Sequence, residues 1–388
     1  MVLSAKFHTR KAASLPLVIG FLLIASTSYA QEEGFVIKLW NKIFNDTTES
    51  AKPKFIAYPV LTFTPETSWQ FGASGLLVYN AKKNLNNRLS ELAAFTFVTL
   101  ESQYGLSIDH ALYTDKNRYF FLGKLRLQQF PLSYHGIGID APQEPVATIE
   151  GFSFTLRERL LRELSENFYM GLEFDFNHLN AVEISEQGAD FTVPAGVEGF
   201  TNLGFGIGVV YDQRHNVLNP RKGLFVEGGF LRYNEGFGSD YSFLNYFGDF
   251  RYYQPTFRNQ LLAYQFLVNT TVPGTNDEVP FNQLSLIGGE SLMRGYYLGR
   301  YRDNALVATQ AEYRFLPFPF SRRFGGAIFG GVATVGSSLN SLKADQLRAS
   351  GGLGARFLLF PGKDIFVRFD YAFTREGSGY YLFIGEAF

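Results

Sequence analysis

The sequence predicts an all-β chain: a transmembrane antiparallel β-barrel of about 16 strands. Three observations predict it. Aromatic residues make up 17% of the chain, with 41 Phe and 22 Tyr beside 39 Gly, although mean hydropathy is close to zero at -0.04. After the N-terminus, no apolar run approaches the roughly twenty residues of a transmembrane helix. Segment after segment instead alternates large apolar residues with Gly and charged residues, the period that puts the two sets on opposite faces of a sheet.

The first element is a predicted signal peptide, residues 1–30. Lys6, Arg10 and Lys11 form its positive region and Leu15 to Ala25 its apolar run. Ser28-Tyr29-Ala30 supplies small residues before a cleavage site at Gln31. Cleavage removes three of 35 basic residues and none of 36 acidic ones, leaving 32 against 36 and a net charge of about -4. Such a chain carries no basic footprint for nucleic acid. It has no cysteine, which excludes disulfides and Cys-ligated metals.

Residues 31–54 form a short periplasmic lead. Val36, Leu39, Trp40, Ile43 and Phe44 recur at helical spacing beside Lys38 and Lys42. An amphipathic helix on the membrane surface, a plug inside the lumen and a disordered lead all stay open.

The barrel is expected over 55–388. In Phe168 to His178, Phe168, Met170, Leu172, Phe174 and Phe176 share one face, while Glu173 and Asp175 lie on the other. In Leu203 to Asp212, apolar residues alternate with Gly204, Gly206 and Gly208. In Ile365 to Phe373, Val367, Phe369 and Tyr371 alternate with Arg368 and Asp370. So many large side chains would overfill one closed core, whereas facing them to lipid requires no partner sheet. The pattern places strands at 55–63, 69–80, 88–100, 102–114, 118–129 and 147–162. It continues through 166–182, 200–213, 222–234, 241–254 and 259–272. The last five are 304–316, 322–336, 346–360, 364–375 and 378–388. Links at 115–117, 163–165, 255–258, 317–321 and 361–363 are short; those at 130–146, 183–199, 273–303 and 337–345 are longer. That asymmetry, short periplasmic turns and long outer loops, is the one a membrane barrel has.

Two segments are more specific than alternation. Asp212 and Arg214 precede a turn with Asn219, Pro220 and Gly223, where Pro fixes φ and Gly permits positive φ. The 273–303 loop holds Gly288 to Asp303, GGESLMRGYYLGRYRD, with Arg294, Gly295 and Tyr296 at its centre. From the residues alone, Asp212 and Arg214 make a lumen or rim ion pair that sets the turn, with a direct functional role as the alternative, and Arg294 is a solvated loop cation.

Together these segments resemble the BamA/TamA superfamily of outer-membrane barrels, the bacterial surface antigen family. The resemblance implies a barrel in the outer membrane of a Gram-negative bacterium. It also implies that the 273–303 loop folds back into the lumen and that Arg294 reaches inward-facing acids. Glu312, on the inward parity with Gln310 and Arg314, is the expected anchor. Gly331 stands where the family's second acid would be, so the loop is expected to lack its second anchor. Phe388, ending the run from Tyr380, resembles the terminal signal for insertion. Glu386 departs from it, because its parity is otherwise apolar.

No catalytic constellation is present: there is no G-x-S-x-G elbow, and His110, His135, His178 and His215 are isolated. The alternating Gly204, Gly206 and Gly208 are not a dinucleotide loop, since no helix follows them. No enzyme activity, cofactor or metal is expected. About 24 residues of lead cannot hold a POTRA module, so a short member without them is expected. The resemblance implies assistance to protein or lipid insertion or transport across the outer membrane. The partners would be membrane lipid, unfolded outer-membrane clients or a separate periplasmic protein. The alternative is a passive channel or structural barrel with the 273–303 loop as lumen constriction.

Overall fold

The computed structural model describes residues 53–388 apart from 66–67, 100–102, 186–187, 189–190, 218 and 276. The expected signal peptide and the lead up to Lys52 lie outside the described residues. Sixteen strands close one antiparallel barrel. Its first half is β1 (Lys54–Thr64), β2 (Ser68–Asn80), β3 (Leu89–Thr99), β4 (Tyr104–Tyr113), β5 (Tyr119–Tyr134), β6 (Ala147–Ser165), β7 (Phe168–Ser185) and β8 (Phe200–Asp212). Then come β9 (Gly223–Tyr233), β10 (Phe243–Pro255) and β11 (Gln260–Pro273). After the long loop follow β14 (Ala305–Phe315), β15 (Phe324–Gly336), β16 (Arg348–Phe360), β17 (Ile365–Thr374) and β18 (Ser378–Ile384). Within the loop, β12 (Ser285–Ile287) and β13 (Tyr301–Asp303) pair as a separate ribbon.

Burial is inverted relative to a water-soluble protein. Leu172 and Phe55 are each 68% exposed, and Phe71, Leu353, Ile328 and Phe373 also point outward. Arg314, Arg356, Arg368 and Asp370 are buried inside. Large apolar residues on an exposed outer wall and charges in the lumen are the distribution of a lipid-facing barrel. No described helix is long and apolar enough to cross a membrane, which says nothing about strands.

Three expectations are corrected. The fifth strand runs to Tyr134, because its ladder with β6 continues to Tyr134 opposite Ala147. The loop ribbon was not anticipated, its strands being too short to show a period. The last strand ends at Ile384 rather than at residue 388: Gly385 adopts φ +95, and the chain leaves the sheet there.

Candidate functional site

The chemistry concentrates where the loop between β11 and β14 enters the lumen. Gly288 and Gly289 both have positive φ and turn the chain inward. Gly295 is at φ +103, with its N–H donated to the Tyr381 hydroxyl at 2.9 Å. A Cβ there would lie 2.8 Å from Thr374 Cγ2, so only glycine fits. Tyr296 is buried with Ile139, Met293 and Tyr301, and its hydroxyl donates to Ala349 O at 3.1 Å. These contacts fix the loop's path, and Arg294 is carried on it into the barrel.

The Arg294 guanidinium pairs with Glu312 on β14 through Nη2 and with Asp370 on β17 through Nη1. It lies 3.6 Å from the centre of the Phe329 ring. A planar fork between two carboxylates and over an aromatic face is a task that arginine suits and lysine does not. Asp370 also receives Arg356 at 2.6 Å and Arg368 at 2.9 Å, while Arg314 bonds Glu312 at 2.8 Å. The expected lack of a second anchor is thus corrected. Asp370 provides it from β17, and the Gly331 position is occupied otherwise. A Cβ on Gly331 would lie 2.8 Å from Gln310 Cβ and 3.1 Å from Met293 Sδ. The loop packs where an acid would have stood.

The C-terminal residues join the same cluster. Glu386 accepts from Arg356 Nε at 3.0 Å and faces Arg314 at 3.6 Å. Its departure from an apolar parity is explained by the turn at Gly385, which aims it into the lumen. Phe388 is buried beside Tyr253, Leu261 and Phe366, with Arg314 4.9 Å above its ring. Arg314 Nη2 also donates to Phe388 O at 3.0 Å.

The other motif builds the short-turn end. Arg214 grips Asp212 with Nε and Nη2, both at 3.0 Å, and lies 4.1 Å from the Phe225 ring centre. Arg88 reaches the same carboxylate at 3.2 Å. Burial and the Asp212 carboxylate act on Arg214 in opposite senses, and the carboxylate prevails, raising the guanidinium above its ordinary value. Gly223 holds φ +114 and Pro220 is buried. The turn 213–222 then crosses to the turn between β16 and β17. There Asn219 Nδ2 donates to Asp364 O at 2.9 Å, and Arg221 binds the Asp364 carboxylate at 2.5 Å. Sequence reasoning missed Arg88, Asp364 and Asp370.

Between these ends the lumen keeps two cavities of about 720 and 610 Å³; Glu91 and Asp109 line both. A second inner cluster joins Arg157 and Arg159 to Glu173, at 2.5 and 2.9 Å. At the long-loop end Arg300 binds Glu376 at 2.6 Å, and Arg302 is buried against the carbonyls of Gly299 and Phe281. Burial without a carboxylate partner lowers the Arg302 guanidinium to about 10. Among the described residues no three His, Asp or Glu side chains form a group that could hold a metal ion.

The sequence profile of the Omp85 superfamily domain matches residues 85–388. Among solved structures, BamA from Haemophilus ducreyi lacking POTRA domains 1-3 aligns with a TM-score of 0.56 at 14% identity. That alignment covers 87% of this chain and 70% of the other. CdiB from Acinetobacter baumannii aligns at 0.53 and 12% identity, over 86% of this chain and 59% of that one. CdiB from Escherichia coli aligns at 0.52 and 11%, over 88% and 68%. At these identities the likeness is one of fold. Comparison with curated protein sequences gave no match.

Proposed function

The chain belongs to the Omp85 superfamily, and on that premise we propose that it is a non-enzymatic barrel of the Gram-negative outer membrane. Its proposed task is to assist insertion of proteins or lipids into that membrane, or their transport across it. The partners in this reading are membrane lipid, unfolded outer-membrane proteins and a separate periplasmic protein. Arg294, Gly295 and Tyr296, anchored on Glu312, hold the lumen loop. Asp212, Arg214, Asn219, Pro220 and Gly223 shape the periplasmic end, and Phe388 serves as the terminal insertion signal.

One observation carries the insertion reading. Among the described residues, β1 meets β18 at one ladder position, Phe63 opposite Leu382, whereas β1 pairs with β2 along its whole 11-residue length. An under-paired edge leaves N–H and C=O groups for an incoming strand, the chemistry of β-augmentation. Behind that edge lies the 610 Å³ cavity, lined by Tyr58, Val60 and Phe383.

Because the chain has no cysteine, Phe63→Cys with Leu382→Cys would introduce a single disulfide across the seam. The insertion reading expects the oxidised protein to lose the ability to assemble a client barrel in vesicles, and reductant to restore it. Assembly that is unaffected by the lock, with steady large conductance in planar bilayers, would sink this reading. It would favour a passive channel constricted by the 273–303 loop.

A further inference from the structure

Charge divides sharply between the two ends of the barrel. The short connections 81–88, 114–118, 166–167, 213–222, 256–259, 316–323 and 361–364 hold twelve Lys and Arg against three Asp and Glu. The opposite connections 65–67, 100–103, 135–146, 186–199, 234–242, 274–304, 337–347 and 375–377 hold five against fifteen. Part of the basic excess is used internally, since Arg88, Arg214 and Arg221 pair with Asp212 and Asp364. Arg258 and Arg322 are exposed, as are Lys82, Lys83, Lys116, Arg118 and Lys222 on other turns of the same end.

Arg258 and Arg322 belong to adjoining turns. Leu316 N–H donates to Asn259 O at 2.9 Å, and the Thr256 and Tyr313 hydroxyls lie 2.9 Å apart. The turns β10–β11 and β14–β15 therefore form one rim. Three aromatic rings project from it: Phe320 is 86% exposed, with Phe324 at 61% and Phe257 at 59%. Phe320 stacks on Phe318 at 5.2 Å, and Arg258 sits 5.1 Å from the Phe257 ring centre. Ser321 Oγ accepts the N–H of Arg323 at 3.2 Å and of Phe324 at 2.9 Å, and Arg323 Nη1 is tied to Leu358 O at 3.0 Å. The turn is thus held in shape while Arg322 faces out.

We propose that this rim binds the headgroups of anionic phospholipids in the leaflet at the short-turn end. The proposal rests on the reading of the chain as an outer-membrane barrel. Exposed aromatic rings settle at the boundary between headgroups and acyl chains. Rings at that depth put the neighbouring guanidiniums level with phosphate, to which they bond in a fork. Basic residues at a membrane surface each favour an anionic over a neutral leaflet. An acidic protein partner would account for the arginines but would leave three projecting rings without a role.

The test reconstitutes the purified full chain into phosphatidylcholine bilayers and measures association of spin-labelled phosphatidylglycerol against spin-labelled phosphatidylcholine. The wild type should prefer the anionic lipid, and the preference should weaken as salt is raised. Arg258→Gln and Arg322→Gln should each lower it about fivefold, and the double variant should lower it further than either alone. Lys343→Gln, at the opposite end, should leave it unchanged. Heat-modifiable gel mobility reports that each variant is folded. Equal association of both lipids with the wild type, or a preference undiminished in the folded double variant, overturns the proposal. So does loss of polyglutamate binding in the double variant while lipid preference persists; that result assigns the rim to an acidic protein. Failure to enter bilayers of either composition would instead sink the membrane-barrel reading itself.

Discussion

Arg294, in the loop between β11 and β14, pairs with Asp370 on β17, 76 residues further along the chain. The contact links the loop to a buried cluster of four arginines (294, 314, 356 and 368) and three carboxylates (312, 370 and 386). A Phe388 oxygen joins it through Arg314, and the cluster's members do not tolerate loss equally.

Asp370→Asn should be more damaging than Arg294→Gln. Removing Arg294 leaves Glu312 with Arg314 and Asp370 with Arg356 and Arg368, whereas removing the Asp370 charge takes a partner from Arg294, Arg356 and Arg368 at once. Breaking a buried pair typically costs about 3–5 kcal/mol; Asp370→Asn should fall in that range and Arg294→Gln at about half of it. Urea unfolding followed by gel mobility would measure both. In a double-mutant cycle the Arg294 and Glu312 substitutions should couple by about 1–3 kcal/mol, and strict additivity would remove the pair.

Gly331→Asp should not strengthen the loop anchor, although it restores an acid at that position. The new Cβ would meet Gln310 Cβ at 2.8 Å and Thr309 O at 2.9 Å, both parts of β14. Overpacking of this kind costs about 1–3 kcal/mol. The same unfolding measurement decides it: a stabilised Gly331→Asp protein would contradict the packing described above.

The strands were legible because a period of two with Phe, Tyr and Leu on one parity survives any choice of barrel size. Glu312 was legible once Arg294 had been placed in the lumen, since Gln310 and Arg314 fix its parity. Asp370 showed an inward parity with Arg368, but nothing in the sequence connects it to Arg294. A usable signal was Gly354, its register partner across β16, whose missing side chain leaves room for the Asp370 carboxylate. Asp364 was not legible at all, because its partners come from a turn six strands away along the barrel. Glu386 was misjudged by extending the parity of β18 through Gly385, where positive φ ends the strand.

The long-loop end should loosen in acid through His135. Its ring is buried beside Tyr297, Nδ1 donates to Pro142 O at 3.3 Å, and Arg300, Arg302 and Glu376 surround it. Burial, reinforced by the Arg300 guanidinium, lowers it to about 4. The unfolded segment, with an ordinary value of about 6.5, takes up its proton first. The folded end thus keeps its full stability above about pH 6.5 and loses it as pH falls towards 4. Proteinase cleavage within 135–146 should rise across that window, and His135→Gln should flatten the rise.

The short-turn end should open when Asp364 is removed. The turn 213–222 is tied to the β16–β17 turn by Asn219 and Arg221, and Asp364 receives both. Arg221 has a second acceptor in Leu316 O at 2.5 Å, so Arg221→Ala loses two anchors, whereas Asp364→Ala takes the carboxylate from Arg221 and Asn219 but leaves Asn219 the Asp364 backbone oxygen. Asp364→Asn keeps an oxygen for Asn219 but gives up the charge, and should be the mildest of the three. Both ionic side chains are about one-quarter exposed, so solvent screening holds the expected cost to about 1–2 kcal/mol for Asp364→Ala. A loss of that size changes the population of an open turn about tenfold without unfolding the barrel. Trypsin should therefore cut after Arg214, Arg221 or Lys222 sooner in Asp364→Ala, with the heat-modifiable barrel band unchanged. Conductance in planar bilayers should rise in the same order as cleavage: Asp364→Asn, then Asp364→Ala. If cleavage rises while conductance stays flat, the turn is a surface feature and the lumen is closed elsewhere, by the Arg294 loop alone.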